Sequence, residues 1–247
     1  MNRNMKVFSA IASLALAALA CQAAAGAPTS NAPTDSAPGV PEDTAVPLPT
    51  EPEPPADNSE ILFEDDFSAG MNVWGTGTDA DSAVEYVDET LNFQIFTNNY
   101  SVRTSANDKD YENVHMEVTV INNQTDATAA FGLICYMQFI DDSHYYFAVT
   151  PAGEYAIGKA SLALDDVLLT NNGEWADSDL IAKNAASYRV GADCGGGKLT
   201  LYVDGQEIAS SNDTTYTTGG FAVFAWSGPD STLTDVSFDD FVMTKLP

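Results

Sequence analysis

The chain has 247 residues and sets thirty-six acidic side chains against nine basic ones, a formal charge of −27 at neutral pH. Such a polyanion is repelled by nucleic acid and by anionic lipid, which argues against either as a partner and leaves cations, neutral ligands and basic proteins compatible. Three cysteines and two histidines offer no zinc-ligand spacing.

Arg3 and Lys6 lead into an apolar run, Val7–Ala20, which closes on Ala17-Ala18-Leu19-Ala20-Cys21. A basic stretch, an apolar core and a small-residue junction form a secretory signal. At 1.5 Å per residue the run spans roughly 20 Å, short of the roughly 30 Å hydrocarbon core of a bilayer. The junction resembles the bacterial lipobox, although Ala18 stands where Leu is usual. That resemblance implies a lipoprotein signal peptide over 1–20 and lipidation of Cys21. It implies an exported protein, held to the lipid bilayer by acyl chains and facing the cell exterior. Ordinary cleavage leaving Cys21 as a free thiol is the alternative.

Residues 21–58 carry nine of the twelve prolines, among Ala, Thr, Ser, Asp and Glu, with no Lys, Arg or aromatic residue. A segment of this composition cannot bury enough apolar surface to offset its ordering entropy, so a disordered linker is expected. At about 3.1 Å per residue it reaches up to roughly 110 Å when extended. With Arg3 and Lys6 removed and six acids assigned to the linker, the remainder holds seven basic and thirty acidic residues, a charge of −23. Solubility at a wet or salty surface accounts for much of that acidity.

Residues 59–247 are long enough for one β domain. Apolar alternation recurs in short runs, clearest over Val114–Ile121, Ala130–Phe139, Tyr145–Thr150, Glu154–Lys159, Ser187–Cys194, Lys198–Val203, Gly219–Trp226 and Thr234–Met243. Pro151-Ala152-Gly153, Gly195-Gly196-Gly197 and Asp204-Gly205 separate neighbouring runs as hairpin turns. The pattern predicts an all-β fold, an antiparallel sandwich or jelly roll. In an oxidising exterior, Cys135 and Cys194 suggest one disulfide, with a pair of buried thiols as the alternative. Period-two alternation assigns Phe131, Leu133, Cys135, Met137, Tyr145, Phe147 and Val149 to the core. Tyr188, Val190, Ala192, Cys194, Phe221, Val223 and Ala225 join them. The opposite faces then carry Tyr136, Gln138, Tyr146, Arg189, Tyr202, Phe224 and Trp226.

Several segments resemble one family. They are Phe63-Glu64-Asp65-Asp66-Phe67 with Trp74, Gly132-Leu133-Ile134-Cys135, Tyr145-Tyr146-Phe147, Gly153-Glu154-Tyr155-Ala156-Ile157, Leu199-Thr200-Leu201-Tyr202-Val203-Asp204-Gly205 and Val236-Ser237-Phe238-Asp239-Asp240-Phe241. Together they are similar to the concanavalin A-like lectin/glucanase jelly rolls, in the laminin-G-like branch, nearest the 3-keto-disaccharide hydrolase-like domains. The resemblance implies the fold across residues 59–247, in which lectins, adhesion modules and glycosidases all occur. It also implies pairing of the first and last strands, which would bring Asp66 to Asp240 as ligands for a structural Ca²⁺.

Glycoside hydrolysis needs two placed carboxylates. The Glu-x-Asp-x-x-Glu strand of the glucanase branch is absent, since Glu85-Tyr86-Val87-Asp88-Glu89 has another spacing. No Gly-x-Ser-x-Gly elbow, His-Glu-x-x-His helix or P-loop occurs. The expectation is a cell-surface domain that binds a glycan or glycan-bearing partner without turning it over, through Tyr136, Tyr146, Arg189 and Trp226. A sugar-cleaving hydrolase and a protein-binding adhesion module are the alternatives.

Overall fold

The alternating runs form two stacked antiparallel sheets. The computed structural model describes residues 59–68, 72–124, 126–161 and 164–247. The expected signal peptide, lipidated Cys21 and linker, over 1–58, lie outside the described residues. In chain order the strands are β1 (Ile61–Asp65), β2 (Gly77–Thr78), β3 (Ser82–Val87), β4 (Thr90–Ile95), β5 (Ser101–Thr104), β6 (Val114–Gln124), β7 (Ala130–Met137) and β8 (His144–Val149). They continue as β9 (Glu154–Ser161), β10 (Leu164–Leu168), β11 (Ala176–Asp177), β12 (Ser187–Gly195), β13 (Lys198–Val203), β14 (Gln206–Asn212), β15 (Gly220–Trp226) and β16 (Thr234–Lys245). There is no α-helix among the described residues.

The three expected turns link β8 to β9, β12 to β13 and β13 to β14. Asp204 and Gly205 take φ of 50° and 75°, the left-handed pair that a tight hairpin between right-twisted strands requires. The first sheet runs β14-β13-β12-β6-β16-β4-β3-β2, with β1 also pairing β16, and the second runs β10-β9-β8-β7-β15-β5, with β11 beside β9. Sequence neighbours such as β6 and β7 lie in different sheets, the crossing pattern of a jelly roll.

The inner faces meet in one core. Val118, Val120, Val190, Leu201 and Phe238 of the first sheet and Phe131, Leu133, Phe147, Val149 and Phe221 of the second are all buried in it. Cys135 of β7 is bonded to Cys194 of β12, so the disulfide crosses from sheet to sheet through this core.

Alternation fails at the end of β7. Tyr136 has φ of 53°, and the β7–β15 register slips between Gly220 and Phe221. One residue of bulge reverses every side chain beyond it. Tyr136 therefore turns inward, 3% exposed, with its hydroxyl donating to the Cys194 carbonyl at 2.7 Å. Met137 turns out to the opposite face. Tyr136, expected as a ligand contact on the outer face, lies instead in the inter-sheet core, and Met137, expected on the face of Phe131, Leu133 and Cys135, is buried in the second cluster. Gly219 makes the bulge possible: a Cβ there would lie 2.4 Å from the Tyr136 carbonyl carbon.

The first and last strands do pair, with Asp65 opposite Phe241. Asp65, buried, accepts the Trp74 indole N–H at 3.0 Å and the Phe67 amide at 2.9 Å. Trp74 packs edge-on against Phe221 and Phe241, which stack on each other. The Phe-Glu-Asp-Asp-Phe…Trp segment is thus a closure device for the sandwich. Asp66 instead accepts the Ser68 amide and hydroxyl, at 3.0 and 2.7 Å. Asp240 occupies a bulge in β16 at φ 48°. Among the described residues no group of three or more His, Cys, Asp or Glu side chains is placed to hold a metal ion. Strand pairing brings the two segments together without building the Ca²⁺ ligand set expected of Asp66 and Asp240.

Candidate ligand-binding cleft

The outer face of the second sheet is built for a trench. Several outward positions of its central strands are small: Ala130 and Gly132 on β7, Ala148 on β8, Ala156 and Gly158 on β9. Register aligns them into a floor, since Gly132 pairs with Ala148, and Ala148 with Ala156. Large side chains stand on either side. Phe224 and Trp226 project from β15 opposite Gly132 and Ala130. Tyr146 projects from β8, and its ring lies across Gly158, where a Cβ would come within 2.1 Å of Tyr146 Cζ. Trp175, immediately before β11, packs with them as part of a second apolar cluster, separate from the inter-sheet core.

The result is a cavity of about 320 Å³, lined by Tyr146, Trp175, Phe224 and Trp226 over Ala130, Ile134 and Ala148, with Ser101, Arg103, His144 and Asp166 as its polar groups. That volume lies at the small end of the roughly 300–1,000 Å³ typical of small-molecule sites. A few polar groups set among aromatic walls is likewise the usual composition of such sites.

The polar groups differ in what they leave free. Arg103 on β5 forms an ion pair with Asp142 of the β7–β8 loop, so its charge is compensated within the molecule. Burial holds the Arg103 guanidinium below its usual pKa. His144 Nδ1 donates to the Asp142 carbonyl at 2.7 Å, which leaves Nε2 as a bare acceptor. Burial, then the nearby Arg103 charge, lowers His144 to a pKa of about 4, so the ring is neutral at pH 7. Burial, followed by the nearby Asp166 charge, pushes the Tyr146 phenol well up. Asp166 is itself raised, by desolvation first and also by the Asp165 charge beside it. It is the one carboxylate among the lining residues.

Of the four expected contact residues, Tyr146 and Trp226 meet in this cleft. Arg189 does not; it lies on the outer face of the other sheet. Its guanidinium is held by Glu117 at 3.1 Å, Thr119 at 3.1 Å and the Asp240 carbonyl at 2.6 Å. There it borders a second polar network, in which His115 sits between Asp193 at 2.6 Å and Glu117 at 3.4 Å. Those two hydrogen-bonded carboxylates raise His115 to about 9. Tyr202 donates to Asp193 at 2.8 Å in the same network. Arg189, Glu117, His115 and Asp193 are all paired within it.

Arg103, His144, Asp166 and Trp175 are cleft residues that alternation did not nominate. The signal that could have found the cleft is the recurrence of Ala and Gly at outward positions on three consecutive strands, beside large rings at Tyr146, Phe224 and Trp226.

No protein-family model matches the sequence, and no curated protein matches it. Solved structures do. A carbohydrate-binding module (CBM66) from Bacillus subtilis aligns at a TM-score of 0.52 and 14% identity, over 70% of this chain and 96% of that one. A protein of unknown function with a galectin-like fold, also from Bacillus subtilis, aligns at 0.56 and 11% identity, over 75% and 96%. A β-glucanase from Bacillus licheniformis aligns at 0.53 and 11% identity, over 77% and 100%. At such identities the likeness is one of fold. The described chain is an all-β jelly-roll sandwich, an architecture it shares with this carbohydrate-binding module and this β-glucanase.

Proposed function

We propose that the cleft on the outer face of the second sheet binds carbohydrate and leaves it intact. The carrying observation is the lining: four aromatic side chains around a small-residue floor, with a single carboxylate. Flat rings present apolar faces to the C–H faces of sugars, and Arg103, His144, Ser101 and Asp166 supply hydrogen bonds at the margins. Hydrolysis through paired carboxylates needs a second acid facing the scissile bond, and Asp166 is the one carboxylate among the lining residues. The head is proposed to stand outside the cell, carried by an acylated Cys21 and the Pro-rich segment that follows it; the basic, apolar and small-residue order of residues 1–20 supports this.

The test is a glycan array probed with the full chain, with reducing-sugar release measured on every hit. Binding without release is expected, and Trp226→Ala should weaken each hit by about tenfold or more, the scale of losing a stacking aromatic at a binding centre. Retention of binding in that variant, or saccharide release at enzymatic rates, would overturn the reading.

A further inference from the structure

The polar groups of the cleft are unbalanced in a way that selects among sugars. Arg103, the one cation in the lining, is already paired with Asp142. Beside the O–H and N–H donors of Ser101, Trp175 and Trp226, the lining presents acceptors. His144 is 7% exposed, lines the cavity and spends Nδ1 on the Asp142 carbonyl, so that Nε2 has no partner among the described residues. Asp166 lines the same cavity beside Tyr146 and forms no ion pair among the described residues. Asp165 adjoins it. The four rings also present electron-rich faces, which attract cations. A ligand made only of hydroxyls, each both donor and acceptor, leaves this bias unused; an ammonium is a pure donor and matches it.

Resting on the reading of the cleft as a carbohydrate site, we propose that its preferred ligand is a basic sugar, a residue whose free amine sits among Asp166, His144 Nε2 and the aromatic walls. The polyanionic surface acts in the same direction, because it concentrates cationic oligosaccharides and repels uronate-rich ones.

The experiment is calorimetric titration of the full chain with three tetrasaccharides of one linkage: β-1,4-glucosamine with free amines, its N-acetylated form and cellotetraose. The amine form should bind about tenfold or more tightly than the other two, the scale of one charge-assisted hydrogen bond. Asp166→Asn should erase that preference, bringing the amine form to the affinity of the neutral sugars, and added salt should weaken the amine form more than the other two. Equal or tighter binding of the neutral sugars overturns this inference and leaves the carbohydrate reading standing. Binding to none of the three, with an equally blank glycan array, overturns both. A lysine-bearing peptide that binds more tightly than the amino sugar would show that the cleft reads ammonium on protein, and would also overturn the proposal.

Discussion

Two histidines in this protein are perturbed in opposite directions, and each governs one side of the pH–stability profile. His115 is held protonated by Asp193 and Glu117, with its pKa raised to about 9. Its contribution is complete below the unfolded value of about 6.5 and is lost as pH rises toward 9. His144 is kept neutral by burial and by Arg103, with its pKa lowered to about 4. Its contribution is present above about 6.5 and is lost as pH falls toward 4, because the unfolded chain then binds the proton the folded one refuses. Glu117, lowered chiefly by its hydrogen bond to His115, adds to the acid-side loss. Urea unfolding across this range should show a maximum near pH 6 to 7, with each histidine worth on the order of 2 kcal/mol. His115→Gln should flatten the alkaline limb and His144→Gln the upper acid limb. Parallel profiles for both variants and the parent would contradict these assignments.

Among the elements, the central strands carry the argument. β7 supplies core residues, cleft floor, one half of the disulfide and the bulge that turns Tyr136 inward. Joining β7 to β12 closes a loop of 59 residues in sequence, which in the chain-entropy picture stabilises by about 4 kcal/mol. Reduction, or Cys135→Ala with Cys194→Ala, should lower unfolding stability by about 2–5 kcal/mol. No change on reduction would mean that the bond is not formed in solution. Much of this layer is legible in the sequence. The β8–β9 and β12–β13 hairpins follow from strict alternation around glycine turns, and Lys198–Val203 is β13 to the residue. β14 escaped because Gln206–Asn212 is an edge strand with no buried residue. β3 and β4 pair tightly even though their alternation over Ser82–Ile95 is interrupted by a turn at Asp88 and Glu89, both at positive φ. Tyr136 was unreadable for a different reason: a bulge leaves no mark in the residue that forms it, only a glycine on the facing strand. The cleft was half legible. Its rings stand out, whereas its floor is defined by side chains that are missing, and Asp166, Trp175 and Arg103 arrive from separate parts of the chain.

At the scale of the molecule, the sandwich separates its tasks by face. The inner faces hold the apolar core and the disulfide. The outer face of the first sheet is closed by the paired charges around Arg189 and His115. The outer face of the second is opened by alanine and glycine into the aromatic cleft. The three tryptophans report on this division: Trp74 lies 2% exposed in the core, and Trp175 and Trp226 line the cavity. Fluorine labelling of tryptophan in the full chain gives one resonance for each. Titrated with a glycan from the array, or with the glucosamine tetramer, the protein should show the Trp175 and Trp226 resonances moving together to saturation while Trp74 stays fixed. Saturable binding that leaves Trp175 and Trp226 unmoved would contradict the assignment of the cleft as the carbohydrate site.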